Sequence, residues 1–166
     1  MSSQNKNLSD VGLLPKLNNV HVGIVVSEWN STVTYQLLEG ALKTLQEAGL
    51  SQDQITTLYV PGTYELALAA QNLGTQNNIH AVICLGCVVQ GETPHFDYVC
   101  SAAAQGIINV GLQLNKPVIF GVLTTLNNEQ ALDRAGGKHG NKGTEAAATA
   151  LKMLHTLNPD STNAVL

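Results

Sequence analysis

The stretch AVICLGCVVQGETPHFDYVC, residues 81–100, decides the fold. Its first nine residues, Ala81 to Val89, carry no charge and are rich in Val, Ile and Leu. Such a run is typical of a strand buried on both faces of a parallel sheet. A turn containing Gly, Thr and His follows, and a helical pattern begins at Phe96. Because ligands of parallel α/β sheets bind where the strands end, this turn is the first candidate site.

Three further strand–helix units surround this stretch. Apolar runs predict strands at Val20–Val26, Ile55–Val60 and Val118–Leu123. Apolar residues spaced three and four apart predict helices at 31–49, 66–74, 96–115, 129–135 and 144–157, with Asn30 or Ser31 capping the first and a flexible loop at 136–143. Four such units predict a three-layer α/β/α sandwich, with a flavodoxin-like four-stranded parallel sheet and helices on both faces.

The domain organisation follows from the same pattern. Residues 1–16 are polar and aperiodic and predict a flexible N-terminal arm, which we expect to add a strand to a neighbouring subunit. Residues 17–157 form the single predicted domain, and residues 158–166 form a polar tail. With 166 residues, the chain is long enough for one core but short for two.

Composition excludes several classes of partner. The net charge is −4 and no basic stripe occurs, which argues against nucleic acid and anionic membranes. No run is long enough to cross a bilayer and the N-terminus lacks an apolar core, so we expect a cytoplasmic protein. Only 12% of the residues are charged, which is low for a monomer and slightly favours an oligomer over a surface rich in Asn, Gln and Thr.

Cys84 and Cys87 form a C-x-x-C pair, which occurs in redox and zinc sites. Both lie inside the predicted buried strand, where residues three apart point to opposite faces. The pattern therefore favours buried structural cysteines.

Polar and aromatic residues collect at the predicted ends of the strands. Trp29 is the sole tryptophan, Glu65 opens a helix, and His95 lies in the strand-to-helix turn. Each has a structural alternative: an indole can wedge a strand end onto its helix, a carboxylate is favoured at a helix start, and structural histidines are common. Together a stacking ring, a carboxylate and a titratable imidazole suit a polar heteroaromatic ligand.

Arg134 is the sole arginine of the chain. It is either a helix-terminal charge paired with Glu129 or Asp133, or a residue whose planar guanidinium binds phosphate through paired hydrogen bonds. Lys138 and Lys142 fit anion contacts or a solvated hinge equally well. The remaining histidines show no obvious partner and read as structural or exposed: His21, His80, His139 and His155.

Motifs spread over nearly the whole chain after about residue 20 resemble the lumazine synthase family. They are Trp29-Asn30, VPGTYE at 60–65, LGCVVQGETPHFDYV at 85–99, FGVLTT at 120–125, EQA at 129–131 with RAG at 134–136, and GNKG at 140–143. One departure is Gln90, since many family members carry a basic residue there and its role is open.

The resemblance implies an enzyme that condenses 5-amino-6-(D-ribitylamino)uracil with L-3,4-dihydroxy-2-butanone 4-phosphate to 6,7-dimethyl-8-ribityllumazine. The 5-amino group forms a Schiff base with the ketone, phosphate is eliminated, the enol rearranges, and the ribityl-bearing nitrogen closes the ring with loss of water. This penultimate step of riboflavin biosynthesis implies no redox cofactor and no metal.

The resemblance also implies residue roles. His95 would shuttle protons, and Trp29 would stack on the pyrimidine. Glu65 would hold ribityl hydroxyls and Arg134 would bind phosphate. The other implied substrate contacts are Asn30, Thr63, Tyr64, Val88, Val89, Glu92, Thr93, Phe120 and Lys142.

The resemblance further implies that Phe120, Arg134 and Lys142 reach the site from a neighbouring subunit. The protein would therefore be at least a homopentamer, and the compact 136–143 segment favours a sixty-subunit icosahedral shell. Two alternatives are a flavin- or nucleotide-binding module without catalysis and a shell protein that has lost its enzyme site. His95 beside a phosphate grip argues against the first alternative, and intact motifs argue against the second.

Overall fold

A computed structural model describes residues 10–158 of the chain. Most of the predicted arm, residues 1–9, and most of the predicted tail, residues 159–166, lie outside the described residues. Residues 10–16 form no helix or strand, but the Val11 carbonyl accepts a hydrogen bond from Lys152 Nζ (2.8 Å) and Leu14 packs against the core. The division into arm, domain and tail stays a prediction, as does strand addition by the arm.

Residues 10–158 contain six strands and five helices, which alternate except where β6 follows β5 directly. They are β1 (Val22–Ser27), α1 (Ser31–Glu47), β2 (Ile55–Val60), α2 (Leu66–Gly74), β3 (Ala81–Val89), α3 (His95–Leu114), β4 (Val118–Thr125), α4 (Asn128–Asp133), β5 (Ala135–Gly137), β6 (Gly140–Asn141) and α5 (Lys142–Leu157). Single 3₁₀ turns at Gln52–Gln54 and Thr63–Glu65 precede β2 and α2.

The first four strands form one parallel sheet in the order β2-β1-β3-β4. The strands of this sheet alternate their side chains between two apolar clusters. Ile83, Leu85 and Cys87 of β3 join the cluster that contains Leu37 of α1 and Leu151 of α5, and Cys84 joins the opposite cluster, which includes α2 and α3. Helices therefore cover both faces, which confirms the predicted three-layer sandwich and its flavodoxin-like parallel sheet.

Several predicted boundaries are wrong. β1 begins at Val22 instead of Val20, and α4 ends at Asp133 instead of Ala135. β4 extends to Thr125, beyond the predicted end at Leu123, because Thr124 and Thr125 pair with Val88 and Val89 at the end of β3. The predicted loop at 136–143 is largely an antiparallel hairpin of β5 and β6. Helix α5 begins at Lys142 instead of Thr144.

The early start of α5 has a local cause. The Asn141 side-chain oxygen accepts hydrogen bonds from Gly143 N (2.8 Å) and Thr144 N (3.3 Å), which satisfies two free amides of the first turn. The same turn lies directly against α1, because a methyl group at Gly143 would overlap the Leu37 carbonyl. Glycine at this position therefore permits the close packing of α1 on α5.

Two histidines predicted to lack partners meet at the opposite, amino-terminal edge of the sheet. His21 N donates a hydrogen bond to His80 Nδ1 (3.0 Å), and His80 N donates to the His21 carbonyl (2.9 Å). These bonds join the residues just before β1 and β3. The pair is structural, as expected, but it is partnered.

Gly143→Ala tests the packing of α1 on α5. We expect the free energy of unfolding to fall by about 1–3 kcal/mol, because the added methyl forces the helices apart. Gly91→Ala is the matched control, since nothing lies within 4 Å of a methyl group there. Denaturant unfolding compares the two variants, and equal stabilities would contradict the packing account.

Candidate active site

A cavity of about 460 Å³ lies where β1, β2 and β3 end. It collects eight of the predicted site residues, and sequence reasoning missed two further lining residues, Cys87 and Val99. The eight predicted residues are Trp29, Asn30, Thr63, Tyr64, Glu65, Val88, Val89 and His95. The parallel sheet thus brings together side chains that lie up to 66 positions apart in the chain.

Two side chains fix the floor of this cavity by meeting at one backbone carbonyl. Asn30 Nδ2 donates to the Cys87 oxygen at 2.9 Å, and Thr63 Oγ1 donates to the same oxygen at 3.4 Å. These bonds join the segments that follow β1 and β2 to the middle strand, β3. The prediction that Asn30 caps α1 is wrong for its side chain, because the amide is used for this long-range bond.

Asn30 has φ 60° and ψ 40°, the left-handed region that asparagine tolerates better than most residues. That conformation turns the chain from the segment after β1 into α1, and Trp29, the preceding residue, lines the cavity. The Trp29 ring lies over Gly62, since a methyl group there would come within 2.9 Å of Trp29 Cε3 and 3.1 Å of Glu65 Oε2. Gly62 therefore lets the ring and the carboxylate share one corner of the site.

The aromatic rings at this cavity are open to solvent. Trp29 is 69% exposed and Tyr64 is 62% exposed. Large aromatic surfaces are normally buried or in contact with a partner. The exposed indole provides a flat face for a planar ligand.

His95 is the first residue of α3 and is exposed on the same cavity. Within residues 10–158 its imidazole makes no hydrogen bond or ion pair, so both ring nitrogens are available to a ligand. The preceding turn residues Glu92 and Thr93 are exposed but line neither this cavity nor the one described next.

The two strand cysteines are buried and point to opposite faces of the sheet, as predicted. Burial raises the pKa of the Cys84 thiol to about 12 and that of the Cys87 thiol to about 11. Both are therefore protonated thiols at neutral pH, and Cys87 lines the cavity without being a nucleophile. Within residues 10–158, no group of three or more His, Cys, Asp or Glu side chains is arranged to hold a metal ion.

A second cavity, of about 470 Å³, lies beside the end of β4, α4 and the β5–β6 hairpin. It is lined by Val122, Leu123, Thr124, Thr125, Gln130, Arg134, His139 and Lys142. Two predicted site residues, Arg134 and Lys142, lie here and not beside His95. Gln130 and His139 were missed: Gln130 lies on α4, within the EQA motif, and the position of His139 depends on the hairpin, which was read as a loop.

Arg134 is exposed and makes no side-chain hydrogen bond or ion pair with any residue of the described chain. The alternative that it pairs with Glu129 or Asp133 is wrong, because Asp133 pairs with Lys138 instead (2.7 Å). Lys142 pairs with Glu145 at 2.9 Å. The guanidinium therefore faces the second cavity as an uncompensated charge.

Phe120 lies on the outer strand β4, is 37% exposed, and lines neither cavity. β4 pairs only with β3 within the four-stranded sheet. Each chain thus carries two separate groups of candidate residues, one on each side of β3.

No helix within residues 10–158 has the length and apolar character of a membrane span.

Comparisons with known proteins identify the family of this chain. The sequence profile of the 6,7-dimethyl-8-ribityllumazine synthase family matches residues 19–158. Curated proteins named 6,7-dimethyl-8-ribityllumazine synthase are 59% identical in Cytophaga hutchinsonii (93% of this chain, 98% of that protein) and 52% identical in Porphyromonas gingivalis (92% and 96%). A protein of the same name from Parabacteroides distasonis is 48% identical (93% and 98%). By sequence, span and fold, this chain belongs to the 6,7-dimethyl-8-ribityllumazine synthase family.

Proposed function

We propose that the protein condenses 5-amino-6-(D-ribitylamino)uracil with L-3,4-dihydroxy-2-butanone 4-phosphate to 6,7-dimethyl-8-ribityllumazine, the penultimate step of riboflavin biosynthesis. The observation that carries the proposal is the placement of an open indole, a carboxylate and an unpartnered imidazole on one cavity: Trp29, Glu65 and His95. The family match over residues 19–158 supports the same substrates.

The cavity suits the uracil substrate. The pyrimidine would stack on Trp29 and lie along the backbone of Thr63, Tyr64, Val88 and Val89. β3 continues beyond Leu85, the last residue that pairs with β1, so backbone groups directed to that edge can bond a ring edge, whereas the other edge pairs with β4 as far as Val89. Asn30 Nδ2 already donates to the Cys87 carbonyl, so in this proposal Asn30 shapes the cavity and contacts the ring through its remaining atoms.

The ribityl chain would extend toward Glu65. An ionised carboxylate accepts hydrogen bonds only, and a row of hydroxyls supplies the donors it requires. Glu65 is partly buried beside Gly62, so its position is restricted by packing. This contact would fix the uracil ring with its 5-amino group directed at the second substrate.

The reaction then needs proton transfer and proximity. The 5-amino nitrogen attacks the ketone carbon, and loss of water gives a Schiff base. Removal of a proton from the adjacent carbon lets the C–O bond to phosphate break, and the resulting enol rearranges to a ketone. The ribityl-bearing nitrogen attacks that ketone, and a second water leaves as the ring closes. We assign the proton transfers to His95, whose free ring nitrogens can accept and return a proton.

The phosphate would be held by Arg134 of a neighbouring subunit. Within one chain the guanidinium opens onto the second cavity, and the described residues offer it no carboxylate partner. A planar guanidinium forms paired hydrogen bonds with phosphate oxygens. Phe120 and Lys142 lie on the same side of the sheet and would approach the neighbour's His95 cavity, with Glu92 and Thr93 completing the phosphate site.

Exposed apolar side chains support an assembly in which such sites form between chains. Large ones lie on α2 and α3, and others lie at β4 and α4: Leu68, Tyr98, Ile108, Leu112, Phe120, Leu126 and Leu132. Patches of this kind on two sides of one chain fit a closed ring. We propose a homopentamer, which further assembles into a sixty-subunit shell. The charged phosphate substrate does not cross membranes unaided, so we place the protein in the cytoplasm.

The overall activity is tested by mixing purified protein with both substrates and following the absorbance of the lumazine product. We expect product formation together with release of phosphate. An unchanged spectrum at high protein concentration would end the enzyme proposal and favour a binding module.

His95→Asn tests the proton shuttle. We expect kcat to fall about 10²–10⁴-fold with little change in KM, because general acid–base catalysis contributes about this factor. His155→Ala is the control. It removes an exposed imidazole from the last turn of α5, a different helix from that of His95, and should retain full activity. A kcat within about twofold of the parent would refute the assigned role.

Arg134→Ala tests the phosphate grip. We expect KM for the butanone phosphate to rise about 10- to 100-fold, because charge-assisted hydrogen bonds to phosphate are lost. KM for the uracil substrate should change far less. An unaltered KM for the phosphate substrate would be inconsistent with this role.

Light scattering on the purified protein tests the assembly. We expect a mass equal to five chains of 17.5 kDa or a multiple of five. A monomeric mass in an active preparation would exclude sites shared between subunits.

A further inference from the structure

Four basic side chains lie on the segment 134–142, between the end of α4 and the start of α5. Two of them are neutralised by carboxylates: Lys138 pairs with Asp133 at 2.7 Å and Lys142 pairs with Glu145 at 2.9 Å. The other two, Arg134 and His139, have no side-chain partner among residues 10–158.

Arg134 and His139 line the same cavity of about 470 Å³. Their neutral polar neighbours there are Thr124, Thr125 and Gln130. Thr125 Oγ1 is buried and finds no hydrogen-bond partner within the described chain. A bound group that accepts hydrogen bonds would therefore meet three unpaired donor side chains of this cavity: Thr125, Arg134 and His139.

The position of His139 is set by the hairpin and not by a loose loop. Its backbone N–H donates to the Asp133 carbonyl at 2.9 Å, and Lys142 N donates to the Arg134 carbonyl at 2.8 Å. Ala135 of β5 pairs with Asn141 of β6. These bonds fix the backbone of residues 134 and 139 relative to each other. The Arg134 guanidinium and the His139 imidazole therefore both line the cavity without any change in the hairpin backbone.

We propose that His139 supplies the second, pH-dependent positive charge of the phosphate site that Arg134 provides. The inference rests on the proposed function and extends it. A phosphate monoester carries about −1.5 to −2 charges at pH 7, so one guanidinium leaves part of that charge uncompensated. A protonated His139 compensates it, whereas the two lysines are already paired.

The other charged groups around this cavity do not replace His139. Helix α1 accepts hydrogen bonds from Asn141 of the hairpin at the Gln36 carbonyl and from Thr144 of α5 at the Gly40 carbonyl. The remaining charges on α4, the hairpin and the first turn of α5 form the two ion pairs described above or are acidic: Glu129, Asp133, Lys138, Lys142 and Glu145.

The sign of the pH dependence follows from charge. An oxyanion binds more tightly to the protonated imidazole, and imidazoles change charge between about pH 5 and pH 8. Oxyanion affinity at this cavity should therefore be higher at pH 6 than at pH 8.

Sulfate is the probe for this inference, because its charge stays constant over this range while that of phosphate changes. Calorimetric titration of the full-length protein should show sulfate binding about threefold tighter at pH 6 than at pH 8, the size expected for an exposed charge pair. In a His95→Asn background, which removes the other imidazole that the proposed function brings to the phosphate, His139→Gln should reduce that ratio to near one, and His139→Lys should bind tightly at both pH values. His155→Ala, an exposed histidine at the far end of α5, should keep the parent ratio.

In the His95→Asn background, a His139→Gln change that leaves the pH ratio unaltered would overturn the inference, and so would an equal loss of affinity at both pH values, which indicates a neutral donor. Absence of sulfate binding at either pH would also overturn it. Failure of the proposed function can be told apart from failure of this inference, because the parent protein would then form no lumazine product. The substrate arm measures KM for the butanone phosphate, which should rise about threefold in His139→Gln at pH 6 and stay unchanged at pH 8.

Discussion

Burial of β3 on both faces, with hydrogen-bonded neighbours on both edges, is the constraint on which this structure depends. Its side chains reach into both apolar clusters, while β1 and β4 pair along its two edges. Parallel pairing brings the ends of all four strands to one side of the sheet. The Cys87 carbonyl then serves as the fixed point to which Asn30 and Thr63 bind.

The same strand separates the two groups of candidate residues. Trp29, Glu65 and His95 share one cavity, whereas Arg134 opens onto another. The proposed condensation needs an aromatic ring for stacking, a base and a phosphate-binding residue. Within one chain these residues are divided between the two cavities. In the proposed ring, Arg134 of each chain would bind phosphate at its neighbour's site. Assembly would then be a condition of activity, and it would cover the apolar surface exposed at β4 and α3.

Local pattern was sufficient to predict the sheet, its helices and the residues that follow each strand. The bounds of β2 and β3, the opposite faces of Cys84 and Cys87, and the collection of Trp29, Glu65 and His95 all depend on periodicity and on the geometry of parallel sheets. Family resemblance added the separation of Arg134 from His95.

Long-range polar contacts were beyond the reach of pattern. Asparagine is a common helix-capping residue, yet the side-chain amide of Asn30 donates a hydrogen bond to the carbonyl of Cys87, 57 positions away. The glycine-rich 136–143 segment reads as a loop because its hairpin is held by backbone bonds that any sequence can make. Missing that hairpin hid the position of His139 and the pairing of Asp133 with Lys138, which the sequence reading had not considered.

The most direct test of a site shared between subunits is complementation between two inactive variants. His95→Asn and Arg134→Ala chains are co-expressed in equal amounts, and product formation by the mixed assembly is compared with that of each variant alone. If each site takes His95 from one chain and Arg134 from its neighbour, random assembly leaves about a quarter of the sites with both residues, so about a quarter of the parent activity should return. Activity of the mixture no higher than that of the separate variants, in assemblies shown to contain both chains, would contradict the account.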